Sequence, residues 1–434
     1  MNRHISRRDV LKSTAAFSAG LWLGTSSVRA EGPSDKLNIA LIGVGGQGGA
    51  NLRGVRGQNI VALCDVDEQR GGKAFEQYRG VKKFHDFRKM FDAMEKQIDA
   101  VVVSTPDHTH FHPSMAALQR GKHLYCEKPM AHSVWETRQM TKLAAEKKVA
   151  TQLGVQRHTI PNMHRIFELV QQGAIGDVAE VHSWIGGSRG MPKSPAKFPD
   201  VPSHLNWDLW LGPAKSRPYS PDYCPYKWRF WWDFGTGETG NWGCHILDIP
   251  FTALGLKYPT RVEGSGPPVH GQTTPKAMST GFHFDATSGR PAVKLHWYHT
   301  AGLPKAMQER IRPVKGYKPR GINTMFVGSK GILLCGFNKR ELLVDGKIAK
   351  PPATKKTVPD SPGFHKEWFL ACKGGGKATC HFGYSGPLTE TVLLGNVAYR
   401  AGGGFAWDAA NLKASGNPKV EEYLKSYFRK GWEA

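Results

Sequence analysis

Residues 37–52, LNIALIGVGGQGGANL, read as a buried strand ending at Ile42 and turning sharply through Gly43, Gly45 and Gly48 into a helix. The spacing is G-x-G-x-x-G directly after a strand. The first glycine permits the tight turn, the second lets a pyrophosphate approach the backbone, and the third allows close helix packing. The N–H groups of the helix start then face the phosphates. A second strand follows, NIVALCDVD, and sets Asp65 about twenty residues on, where a carboxylate accepts from the ribose hydroxyls of NAD. That charge repels a 2′-phosphate and no Arg follows it directly, so NAD is expected in preference to NADP.

Downstream, helix and strand keep alternating. GGKAFEQYRG and DFRKMFDAMEKQ read as helices and IDAVVVSTP as a buried strand, which predicts an α/β fold with a doubly wound parallel sheet. Ligands of such sheets lie beyond the carboxyl ends of the strands, so the loop Ser104 to His110 should border the cofactor. His108, His110 and His112 alternate in a way that resembles a metal cluster. The loop passes at once into Pro113 and a helix, which leaves no fixed ligand geometry, and no metal is expected.

The first thirty residues stand apart. Arg7 and Arg8 precede a short apolar run, Ala15 to Leu23, and Val28-Arg29-Ala30 has the form of a cleavage site. The segment resembles a twin-arginine export signal, with Ser6-Arg7-Arg8-Asp9-Val10-Leu11-Lys12 as the matching motif, and a periplasmic or otherwise exported location is expected. The apolar run is too short to span a bilayer and no other segment is a candidate, so no membrane anchor is expected.

The chain has 434 residues and a formal charge of +23. Its lysines are scattered rather than gathered into a stripe and no nucleic-acid motif is present, which argues against a nucleic-acid partner. An anionic glycan or an anionic envelope surface suits the charge better than nucleic acid does, and the plainest reading is a well-solvated basic surface with no specific partner. Seven cysteines without C-x-x-C spacing make no disulfide framework, and Cys64 and Cys126 read as small buried hydrophobes.

The next strand, KHLYC, runs into Glu127-Lys128-Pro129. With the glycine loop, the STPDHTH loop and the export signal, this motif makes the chain resemble a secreted member of the Gfo/Idh/MocA family of oxidoreductases, named for glucose-fructose oxidoreductase and inositol dehydrogenase. The resemblance implies an NAD-dependent enzyme acting on a sugar or polyol hydroxyl, with a Rossmann domain over residues 31–157. A substrate and oligomerisation domain over 158–400 follows, built on a large, mostly antiparallel sheet, and then a helical tail over 401–434. A homo-oligomer is expected. Expected cofactor contacts are Gly43, Gly45, Gly46, Gln47, Gly48, Asp65, Thr105, Pro106, His110, Glu127 and Lys128. The family's lysine contacts both the nicotinamide region and the substrate; here that residue is Lys128.

The sequence agrees with such a second domain. Strand candidates are VAEVHSWIGG, RVEGSG, GFHFDA, AVKLHWYHT, TMFVGSKGILLCGF and ELLVDG, and the alternation over Lys294–Tyr298 predicts one face on a core and the other toward a pocket. Between them lies an aromatic insertion, Trp207 to Trp242. Aromatic faces suit the C–H faces of sugar rings, which makes Tyr226, Trp228 and Trp231, with Arg157, the expected substrate contacts.

Family members often show Asp-x-x-x-His at the end of that insertion, both residues at the substrate. This chain has Asn241-Trp242-Gly243-Cys244-His245. Lys128, Asn241 and His245 are therefore the expected catalytic residues, with His245 as acid or base. An amide orients a hydroxyl but takes no proton, which weakens a simple polyol-dehydrogenase assignment. Asp248, one turn beyond His245, is a candidate to orient it. Two alternatives follow: an NAD-dependent glycosidase working by transient oxidation and elimination, and a glycan-binding module with inactive chemistry.

Overall fold

A computed structural model describes residues 35–195 and 197–433. The export motif lies outside the described residues. Among those described, no helix is long and apolar enough to cross a membrane.

The first domain holds six parallel strands: β1 (Asn38–Ile42), β2 (Asn59–Cys64), β3 (Lys82–Phe84), β4 (Ala100–Val103), β5 (His123–Cys126) and β6 (Thr151–Leu153), in the order β3-β2-β1-β4-β5-β6. Every residue of β4, Ala-Val-Val-Val, is buried, as helices on both faces of a parallel sheet require. The helices begin on local signals. Asp67 accepts from the amides of Gln69 and Arg70 to cap Glu68–Gln77, and Ser133 with Glu136 forms a capping box at Val134–Glu146.

The second domain is a ten-stranded sheet ordered β14-β13-β12-β11-β7-β10-β9-β8-β15-β16. Its strands are β7 (Val178–Gly186), β8 (Arg261–Ser265), β9 (Met278–Phe284), β10 (Val293–Thr300), β11 (Thr324–Gly328), β12 (Gly331–Cys335), β13 (Arg340–Val344), β14 (Lys347–Ala349), β15 (Phe405–Asp408) and β16 (Lys413–Ser415). β7 and β10 run parallel and their other pairings are antiparallel. The helix Phe382–Arg400 is buried along nearly its whole length, and Arg138 of the first domain makes a bidentate pair with its Glu390.

Residues 401–434 are not a helical tail. β15 and β16 extend the sheet beyond β8, and only a 3-10 turn, Pro418–Val420, and the short helix Glu421–Leu424 follow among the described residues. Phe405-Ala406-Trp407-Asp408 alternates buried and exposed, a two-residue period too short to stand out beside Gly402-Gly403-Gly404. The alternation in β10 is as expected on its inner face, where Leu295 and Trp297 are buried. Its other face, Lys294, His296 and Tyr298, is not turned to a pocket as expected but lies opposite Trp297, whose Nε1 donates to Thr239 of the helix Gly237–Ile246.

Candidate active site

Gly43 has φ +79°, and a Cβ there would lie 2.8 Å from the Ser104 carbonyl; one on Gly48 would lie 2.0 Å from the Gly43 oxygen. Both positions therefore admit glycine alone. The helix they feed, Gln47–Val55, begins at Gly46 with no side-chain cap, and Gly45, Gly46 and Gln47 line a cavity of about 440 Å³. Asp65 lines the same cavity and braces the loop. Its Oδ2 accepts from the amides of Val44 (2.9 Å) and Gly45 (3.3 Å), and its Oδ1 from Asp67 (3.1 Å). Burial raises the Asp65 pKa against these stabilising bonds. Arg70, which follows on the next helix, lies over Gly45 and Gly46.

The far wall belongs to the strand ends. Thr105, Pro106, His110, Glu127 and Lys128 all line the cavity. His110 ties the Thr105 carbonyl (2.8 Å) to that of Pro129 (2.7 Å), and Glu127 Oε1 accepts from Gln47, Asn51 and Gln156. The three loop histidines serve separate partners: His108 meets the carbonyls of Phe234 and Trp210, His112 that of Trp432.

Asp107 couples the first domain to the catalytic helix, Gly237–Ile246. It is buried and accepts from both the amide (3.1 Å) and hydroxyl (2.6 Å) of Thr236, the residue that starts that helix. Asn241 and His245 are thereby brought to the cavity opposite Lys128. Lys128 Nζ donates to the main-chain oxygen (2.8 Å) and the side-chain Oδ1 (2.9 Å) of Asn241. Asn241 Nδ2 in turn donates to Glu238 Oε2 at 3.2 Å, and Glu238 pairs with Arg189.

Charge follows from this packing. Burial lowers the Lys128 pKa and the nearby Arg229 guanidinium lowers it further. His245 is pushed well below the ordinary histidine value, first by burial and then by the positive charges of Lys128 and Arg157. A neutral imidazole beside an ammonium is a base facing an acid. Asp248 does not orient it. The Asp248 carboxylate takes His158 Nδ1 (3.0 Å) and the Tyr384 hydroxyl (2.5 Å), while His245 Nδ1 is buried with no partner among the described residues.

Of the expected substrate contacts, Tyr226 and Trp228 line the cavity. Trp231 does not. It is 1% exposed, donates to the Asp222 carbonyl and packs with Trp210, Tyr223 and Phe234 as the core of the insertion. Arg157 lies outside the cavity wall, with its guanidinium over Trp242 and Phe337. Arg229 was missed. It lines the cavity with its guanidinium 4.3 Å from the Trp228 ring centre and its Nε unpartnered among the described residues. Its place beside Trp228 in a run of aromatics was the available signal.

A nucleotide suits this cavity. The glycine cradle has no room for Cβ atoms, the helix start is uncapped, Asp65 stands at the loop, and Thr105 Oγ1 is buried and unpartnered among the described residues.

Residues 37–155 match the model of an oxidoreductase family with an NAD-binding Rossmann fold, and residues 181–278 match that family's C-terminal α/β domain. The chain belongs to the Gfo/Idh/MocA family of oxidoreductases, whose NAD-binding domain it carries. It is 30% identical over 159 residues to an inositol 2-dehydrogenase of Rubrobacter xylanophilus, covering 35% of this chain and 45% of that protein. It is 30% identical over 200 residues to a glycosyl hydrolase family 109 protein of Solibacter usitatus, covering 40% and 44%. The chain thus spans less than half the length of these relatives. A solved inositol dehydrogenase homolog of Azotobacter vinelandii, complexed with NADH and myo-inositol, superposes with a TM-score of 0.59 at 17% identity, covering 86% of this chain and 98% of that one. The WlbA dehydrogenase of Bordetella pertussis, in complex with NADH and UDP-GlcNAcA, gives 0.60 at 16%, covering 86% and 99%. At these identities the likeness is one of fold.

Proposed function

We propose that this protein oxidises a hydroxyl of a sugar or polyol, with NAD held tightly in the glycine-loop cavity. The observation that carries the reading is the convergence of Lys128, Asn241 and His245 on the cavity that the loop opens. NAD, when bound there, supplies the acceptor for a substrate hydride. Lys128 holds the reacting hydroxyl and His245, neutral, receives its proton as the carbonyl forms. Asn241 fixes the Lys128 ammonium through two oxygens. Trp228 and Tyr226 offer aromatic faces to the ring, and Lys128 with Arg229 makes the wall cationic, which supports a carbohydrate that bears an acid group.

The twin-arginine motif supports export, a route that carries folded proteins and so permits loading of NAD beforehand. Outside the cell no pool of NAD recycles the cofactor, and the hydride should return within the same site. A second reading therefore rests on His245 and on the glycosyl hydrolase family 109 relative. Oxidation of a ring hydroxyl acidifies the adjacent C–H, His245 removes that proton, the glycosidic substituent leaves, and water and hydride are added back. A glycan-binding module with inactive chemistry has Asn241 as its support.

Mass spectrometry of the native protein, then incubation with aryl glycosides and free sugars in deuterated water, separates these readings. Release of aglycone with deuterium at the adjacent carbon selects the glycosidase. Reduction of bound nicotinamide by free sugar selects the oxidoreductase, and sugar binding without spectral change selects the binding module.

A further inference from the structure

We infer that Glu180, His182 and His296 form a zinc-binding site on the outer face of the ten-stranded sheet, apart from the cofactor cavity. Glu180 and His182 are two residues apart on β7 and so share a face. β10 runs parallel beside it in a register that sets His296 directly against His182. Glu180 Oε1 lies 2.8 Å from His182 Nε2 and 4.0 Å from His296 Nε2, and the three donor atoms lie within 4.8 Å of one another. The two imidazole planes are stacked, 7° apart with centres at 4.7 Å, so the His296 ring must tilt toward His182 for both in-plane Nε2 lone pairs to meet at one ion.

Two imidazoles and one carboxylate are a donor set for Zn²⁺, with a fourth position left open. Zinc with ligands at roughly 2.0–2.2 Å holds its donors about 3.3 Å apart. The 2.8 Å gap must open slightly and the 4.0 Å gap close, by rotation of side chains that are 35% (Glu180) and 21% (His296) exposed. His182, 3% exposed, is the fixed member.

The surroundings are those of a built site. The Tyr298 hydroxyl stands 2.9 Å from His182 Nδ1, the hydrogen bond behind the ring that orients a metal-binding histidine. Arg310 holds Glu180 by Oε2 at 3.0 Å, which leaves Oε1 for the ion. Lys294 beside them is paired with Glu263. Protons balance without a co-reactant. Zinc replaces the hydrogen on His182 Nε2, that hydrogen moves to Nδ1, and the Tyr298 hydroxyl turns from donor to acceptor. Leu295 and Trp297, which alternate with His296 on β10, are buried on the other face, where Trp297 Nε1 donates to Thr239 on the catalytic helix. The ion would clamp the strand pair beneath that helix.

A second trio, His158, Asp248 and Cys380, is also close enough. It is wholly buried and its carboxylate already serves His158 and Tyr384, so it offers neither entry nor free donors.

The test is titration of the full chain, stripped with EDTA, with Zn²⁺ followed by calorimetry and with Co²⁺ followed by absorption. One Zn²⁺ per chain is expected, weakened at least about a hundredfold in His296→Gln and about tenfold in Tyr298→Phe, both checked for folding by circular dichroism. Co²⁺ should give tetrahedral d–d bands without a thiolate charge-transfer band. Should His296→Gln fail to fold, Tyr298→Phe and the wild-type Co²⁺ spectrum decide. No stoichiometric binding, unchanged affinity in the variants, or a thiolate or octahedral spectrum overturns the site.

Discussion

Asn241 stands between a cation and an anion: its Oδ1 accepts from the Lys128 ammonium at 2.9 Å while its Nδ2 donates to the Glu238 carboxylate at 3.2 Å. No other side chain of this size does both. Glu238 is buried and paired with Arg189, so the negative charge of this helix sits one turn before the position where the family often has Asp. Asn241 answers to that neighbour.

Replacement of Asn241 by Asp should destabilise the fold, since a second carboxylate beside the buried Glu238 and the loss of that group's donor outweigh the added charge facing Lys128. The expected cost is about 1–3 kcal/mol, read as a lowered urea midpoint. In Glu238→Gln, whose amide can donate to the new carboxylate, the same replacement should cost markedly less. An equal loss in both backgrounds would break the link between the two residues.

For cofactor choice, Asp65→Asn keeps an oxygen for the amides of Val44 and Gly45 and removes the charge. With Arg70 over the loop, the preference for NAD over NADP should narrow by about tenfold, about 1.4 kcal/mol. Fluorescence titration with the two reduced cofactors measures it. An unchanged ratio would place specificity elsewhere.

The acid limb of kcat/KM should lie below the ordinary histidine range. The His245 pKa is lowered by burial, Lys128 and Arg157, so the base stays neutral as pH falls through about 6.5. On the alkaline side the lowered Lys128 pKa should bring loss of the ammonium earlier than for a free lysine. Arg157→Gln removes one of the two charges acting on His245 and should move the acid limb upward. A limb at the ordinary value in the unaltered protein would remove His245 from the chemistry.

His158 and Asp248 make a pH-dependent contribution to stability. Burial pushes the His158 pKa down, and the Asp248 carboxylate, its hydrogen bonds and Cys380 more than reverse this, leaving it well above 6.5. Because the folded value exceeds the unfolded one, the contribution is fully present below about pH 6.5 and lost as pH rises through the folded value. Asp248→Asn should lower stability by about 3–5 kcal/mol near pH 6 and by less at alkaline pH. Urea unfolding across that range gives the comparison, and a gap that widened with pH would reverse the assignment.

What could be read from the chain follows locality. The glycine loop, Asp65 and the Glu127-Lys128-Pro129 turn are each set by residues a few positions apart, and β7 to β13 carry periods long enough to recognise. The short β3, β14, β15 and β16 do not. Which aromatics of the insertion face the cavity depends on long-range packing: Trp228 and Trp231 are three residues apart, yet only Trp228 reaches the wall. Helical spacing made Asp248 a partner for His245, but His158 and Tyr384, both distant in sequence, claim it. Arg229 and Glu238 owe their roles to the docking of Thr236 on Asp107, a contact across 129 positions.

The central claim is that hydride leaves the sugar in the cavity shared by Lys128, Asn241 and His245. Its most direct test is single-turnover absorbance of the nicotinamide on the NAD-loaded protein mixed with a panel of neutral and acidic sugars. The unaltered protein should reduce its bound nicotinamide with at least one sugar. Lys128→Met, loaded with NAD to the same extent, should do so about 10²–10⁴ times more slowly. Reduction at an unchanged rate in Lys128→Met, or none in the unaltered protein with any sugar, would contradict the account.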